Sequence, residues 1–152
     1  MIIKRTVVLG LLLAGCSWTV TAGEDKTAAA VAKFQGTWEL VSRKIDGESV
    51  PAEKIKGYRH IVKGNSWTTK REGKLIHHGT FKIIEVQGKR IKLNLSFDSG
   101  LDKGKTFESL VEFQGENIFH SCRSLSGKGR PTELSAKKGS EHQVSTLKKI
   151  KP

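Results

Sequence analysis

Hydrophobic and polar residues trade places with a period of two along most of this chain, the pattern of strands that bury one face. The clearest run is 90–98, where Ile91, Leu93, Leu95 and Phe97 point one way and Lys92, Asn94, Ser96 and Asp98 the other. Trp38 and Leu40 alternate with Thr37 and Glu39, which predicts a first strand over 36–46 ending at Asp46-Gly47. Tyr58, His60 and Val62 share a face up to Gly64-Asn65, and Trp67 opens a segment that ends near Glu72-Gly73. Leu75, His77, Gly79, Phe81 and Ile83 line one side of the next segment, closed by Gln87-Gly88. Phe107, Val111 and Phe113 precede the turn at 114–117; Ile118, His120 and Cys122 share a face after it, and 142–150 forms a last strand. Pro51 and Gly57 bracket a single helical turn, and the polar stretch 124–140 reads as a long loop. Seven or eight short strands joined by turns predict an all-β fold. An antiparallel up-and-down barrel of about eight strands is favoured over a sandwich, because successive strands follow through short turns and closure removes exposed edges.

The N-terminus follows a different pattern. Lys4 and Arg5 precede an apolar run from Val7 to Leu13 and the small residues Ala14 and Gly15, which marks 1–15 as a secretory signal peptide. The run is too short to span a bilayer, which takes about 20 apolar residues. Leu13-Ala14-Gly15-Cys16 resembles the lipobox of bacterial lipoproteins, and that resemblance implies cleavage before Cys16 and acylation of its thiol. Residues 16–33 then form a tether ending in a helical turn, and 34–150 form the folded domain. Val20-Thr21-Ala22 offers an alternative cleavage site after Ala22, which would release a soluble periplasmic or secreted protein.

A chain of 152 residues accommodates one ordinary domain. Its 27 Lys and Arg against 15 Asp and Glu leave a net charge of +12, which favours anionic lipid heads or envelope polymers. Nucleic acid is not an expected partner, since the aromatics that would stack on bases alternate inward with the strands. With Cys16 in the lipobox, Cys122 stands alone, so no internal disulfide forms and Cys122 reads as a small buried hydrophobe.

Gly36-Thr37-Trp38 at the head of the first strand resembles the Gly-x-Trp signature of lipocalins and related calycin barrels. By that resemblance Gly36 and Trp38 close the barrel's base, with the indole beneath a cation from the end of the last strand, Lys148 or its neighbour Lys149. The segments 34–41, 50–57, 79–83, 104–106 and 130–134 together resemble a small exported lipocalin-like domain family abundant in planctomycete bacteria. That resemblance covers about 34–150 and implies fold and compartment; it brings no catalytic residue and no cofactor.

Candidate chemistry is sparse. Gly104-Lys105-Thr106 ends like a phosphate loop, but the first glycine would fall on Ser99 and no helix follows. No nucleophile elbow surrounds any serine, so no enzyme activity is expected. His60, His77 and His120 share faces with apolar residues and are weak candidates for a metal site or an enzymatic site; separate hydrogen-bonded histidines are favoured. The expectation is therefore a non-catalytic, lipid-anchored envelope domain that holds a small apolar or amphipathic ligand. The candidate lining is Trp38, Leu40, Tyr58, Trp67, Phe81, Leu93, Leu95, Phe97, Val111 and Phe113. The alternative is a structural or interaction module whose basic surface contacts anionic envelope polymers or partners.

Overall fold

The computed structural model describes residues 22–150, so the leader and the lipidation expected at Cys16 lie outside the described residues. The elements run α1 (Ala22–Phe34), β1 (Gly36–Ile45), β2 (Glu48–Ser49), α2 (Ala52–Ile55), β3 (Tyr58–Lys63), β4 (Ser66–Arg71), β5 (Lys74–Gln87), β6 (Arg90–Phe97), β7 (Thr106–Gln114), β8 (Ile118–Ser124) and β9 (His142–Ile150). Strand order is β2-β1-β3-β4-β5-β6-β7-β8-β9, and β1 also pairs with β9. All pairs are antiparallel, giving a closed, lipocalin-like barrel of β1 and β3 to β9, with β2 a two-residue extension. Short turns join β3 to β4, β4 to β5, β5 to β6 and β7 to β8, longer segments make the other connections, and the β1–β9 seam leaves the cylinder without an open edge.

The two ends of the cylinder differ. The turns at 64–65, 88–89 and 115–117 share the floor with α1, while 46–57, 72–73, 98–105 and 125–141 crowd the mouth. Helix α1 replaces the tether expected over 16–33, at least from residue 22. Its alanines favour helix, Glu24 and Asp25 in the first turn and Lys33 in the last complement its dipole, and Ala30 and Phe34 are buried against the barrel. The Phe34 ring stands 5.3, 5.0 and 5.6 Å from those of Phe81, Phe113 and Phe119, so the helix is corked into the floor by its last residue. Gln35 continues the attachment, donating to the Gly64 carbonyl and accepting from the Gly64 amide.

Trp38 is fully buried at this floor. Its Nε1 donates to the Phe34 carbonyl at 2.7 Å, satisfying an acceptor that the end of α1 leaves free. The cation above the indole is Lys149, with Nζ 5.0 Å from the ring centroid, and not Lys148. The register explains this: Trp38 lies opposite Lys149 and shares its face, whereas Lys148 lies opposite Glu39 and points to solvent. Gly36 makes room for the arrangement, because a Cβ there would stand 3.1 Å from the Lys149 Cε, and its φ of 115° disfavours any side chain.

Two further features set which side chains face inward. Register shifts between Leu40 and Ser42 in the β1–β9 pairing, so the bulge leaves Val41 exposed and turns Arg43 and Ile45 inward instead of Ser42 and Lys44. On β8 the inward residues are Phe119, Ser121 and Arg123, which corrects the expected inward face of Ile118, His120 and Cys122. Cys122 is buried as expected, but on the outer face, where its thiol donates to the Ser135 carbonyl at 3.6 Å beneath the 125–141 loop. Arg130 pins that loop to β6 and β7, donating to the carbonyls of Leu93 and Ser109 at 2.6 and 2.7 Å and to Asn94 Oδ1 at 2.6 Å.

Candidate functional site

Above the Phe34 cork the barrel encloses a cavity of about 130 Å³. Its deeper wall is apolar, built from Phe34, Val62, Phe81, Val111, Phe119 and Leu147; Trp67, Leu93, Leu95 and Phe97 complete the sides. Toward the mouth it is polar, with Arg43, His60, His77, Ser121, Arg123, Gln143 and Ser145. Of the ten lining residues expected from sequence, Trp67, Phe81, Leu93, Leu95, Phe97 and Val111 border this space. Trp38, Leu40 and Phe113 instead fill the core around it. Tyr58 sits toward the mouth, its ring 5.2 Å from the Arg71 guanidinium carbon.

The polar end is a product of register. Arg43 on β1 lies opposite Ser145 on β9, Ser145 lies opposite Ser121 on β8, and Gln143 lies opposite Arg123. Two arginines thus flank β9 from strands about 10 Å apart. Arg43 Nε donates to Ser145 Oγ at 3.2 Å, and Arg123 Nη2 reaches Gln143 Oε1 at 3.4 Å. The Arg123 guanidinium also lies over Phe97 and Phe107, 5.3 and 4.8 Å from their centroids. Desolvation lowers the affinity of both guanidinium groups for their proton. It pulls Arg123 down to about 10, with the neighbouring Arg43 cation adding to the effect. Both arginines were missed from sequence: Arg43 owes its inward turn to the bulge, and Arg123 lies on the strand whose faces were read in reverse.

A histidine row crosses the opposite wall. His60 on β3, Thr69 on β4 and His77 on β5 are successive cross-strand partners, and His60 Nδ1 shares a hydrogen with Thr69 Oγ1 at 2.9 Å. The His77 ring packs 5.3 Å from both Trp67 and Phe97. His120 is not part of this row. It sits on the outer face, bonded to Thr146 Oγ1 at 3.0 Å and Gln114 Oε1 at 3.2 Å, so the three histidines do not converge. Among the described residues no three His, Cys, Asp or Glu side chains are grouped to hold a metal ion.

Burial, reinforced by Arg43, pushes His60 down from 6.5 to about 3; burial and Arg123 push His77 down to about 4. The unfolded chain therefore binds a proton near pH 6.5 that folded His60 refuses, so falling pH favours unfolding. We expect stability to drop between pH 6.5 and 4.5, with His60 alone contributing a slope of up to about 1.4 kcal/mol per pH unit. This window lies above the one in which the ion-paired Glu85 and Glu112, whose carboxyls are held below the ordinary range, lose their stabilising charge. Urea unfolding across the window reads the effect. His60→Gln should flatten the profile, and an unchanged profile would mean that His60 is open to water in the folded protein.

Compared with protein-family models, curated proteins and solved structures, the chain matches none. No helix among the described residues is long and apolar enough to cross a membrane.

Proposed function

We propose that this protein is a non-catalytic, exported binding domain, anchored to the cell envelope through a lipid on Cys16, and that its barrel holds one small amphipathic molecule. The cavity is the observation that carries the reading: about 130 Å³ of space, apolar at depth and polar toward the mouth. A dry apolar cavity of about 150 Å³ accepts benzene, so the occupant's buried part has about six to nine heavy atoms, well below the size that fills ordinary ligand pockets. An eight-stranded barrel can fill itself with side chains or keep such a space, and here the large inward aromatics leave it only partly filled. Support for the address comes from the charged, apolar and small-residue order of 1–15 followed by Leu13-Ala14-Gly15-Cys16.

The test is native mass spectrometry of the protein isolated from its own host. A bound small molecule that leaves on denaturation is the expected result, together with a diacyl or triacyl mass on Cys16 that the Cys16→Ser variant lacks. A ligand-free spectrum, combined with no uptake of benzene-sized apolar probes, would overturn the binding role. An unmodified Cys16 or an N-terminus at residue 23 would overturn the anchor.

A further inference from the structure

Arg43 and Arg123 present a chemical problem that the barrel leaves open. Among the described residues neither forms an ion pair, although seven other Lys or Arg contacts with carboxylates lie elsewhere on the molecule. Each guanidinium carries five N–H donors, and the side-chain hydrogen bonds use one from each: Arg43 to Ser145 and Arg123 to Gln143. Arg123 Nε is shut off from solvent with no acceptor, and so is His60 Nε2 across the cavity. Enclosed cations are costly unless a counter-charge meets them. The nearest acidic influence on Arg123 is Asp102, whose carboxylate is already engaged by Lys105 at 3.0 Å.

Resting on the reading of the barrel as a ligand cup, we propose that its ligand is a small monocarboxylate, such as a single-ring aromatic acid or a short-chain fatty acid. Its carboxylate lies between Arg43 and Arg123 and its apolar body lies against Phe81, Val111 and Phe119. The planar fork of arginine matches carboxylate geometry, and a carboxylate met by two forks, from β1 and from β8, supplies the counter-charge that both arginines lack. The tail's size follows from the cavity. His60 and His77, neutral beside the two cations, add hydrogen-bonding capacity to the rim without adding charge.

The experiment is calorimetric titration of the intact exported protein, in mild detergent at pH 7.5, with four probes: benzoate, hexanoate, and the uncharged counterparts benzyl alcohol and hexanol. One charged pairing of average strength is worth about tenfold in affinity, so each acid should bind at least about ten times more tightly than its alcohol. Arg123→Met and Arg43→Met should each remove one pairing and weaken the acid about tenfold while changing the alcohol's own affinity less than about twofold, and the double variant should bring the acid down to the alcohol's affinity. Removing an uncompensated cation should also raise the melting temperature of the ligand-free protein, so these variants are expected to fold. Should either fail to fold, Arg123→Gln and Arg43→Gln take its place with the same expected loss. Equal binding of acid and alcohol by the unaltered protein would overturn the carboxylate assignment and leave the cup standing. Binding of none of the four would overturn both, and acid binding that survives both substitutions would overturn the role of the arginines.

Discussion

Trp38→Ala is expected to destabilise the barrel by about 3–5 kcal/mol, the range for removing a large aromatic from a close-packed core. The indole is completely buried, packs 4.7 Å from Phe119 and 6.2 Å from Phe113, donates to the end of α1, and lies under Lys149. Its loss empties the floor, strands the Phe34 carbonyl and leaves the Lys149 ammonium facing a hole. Urea unfolding followed by far-ultraviolet circular dichroism measures the cost. Trp38→Phe should recover most of the packing but not the hydrogen bond. Lys149→Met should cost only the ring contact, about 0.5–2 kcal/mol, and Lys148→Met almost nothing. A loss below about 1 kcal/mol for Trp38→Ala would mean that the floor does not depend on this residue.

Gly79→Ala should rival that effect with the addition of a single methyl group. Gly79 sits within β5, opposite Trp67 on β4 and Phe97 on β6, and its backbone is in a conformation open to any residue. What excludes a side chain is space: a Cβ there would run into the Ser96 carbonyl and lie 2.9 Å from the Trp67 ring. Neither obstacle is the free end of a flexible chain, so the strand itself must shift, at an expected cost of about 3 kcal/mol or more. Gly73→Ala is the matched control. Its site has open space but a φ of 82°, so strain alone applies, about 1–2 kcal/mol. If the two variants unfold at the same urea concentration, the close approach at Gly79 is not what fixes the packing of β4, β5 and β6.

The strands were legible because most of them see water on one side and the core on the other. Period-two alternation placed β1, β3 and β5 to β7 nearly where they lie, and the Gly36-Thr37-Trp38 signature located the floor. Three features escaped for identifiable reasons. The Val41 bulge inserts one residue into β1, and a single extra residue reverses the facing of everything after it, which hid Arg43. Strand β8 has apolar groups on both faces, since Phe119 faces the cavity and Cys122 lies under the 125–141 loop, so alternation could not decide its orientation. Helix α1 has only a weak apolar stripe, and its docking depends chiefly on Phe34, a residue assigned from sequence to the domain rather than to the helix. For the same reasons the apolar part of the cavity was largely foreseen, while its charged rim was not.

The seam between β1 and β9 joins side chains 102 positions apart, as in the contact of Arg43 with Ser145. Chain synthesis delivers β1 first and β9 last among the described strands, so until β9 emerges the nascent sheet has two ragged borders, β1 on one side and β8 on the other. Ring closure must await the final strand, which favours slow maturation over a rapid local collapse. That strand also brings Gln143 and Ser145 between the two arginines. A polypeptide clipped before His142 would therefore expose borders prone to recruiting other strands, and could not assemble the rim at all.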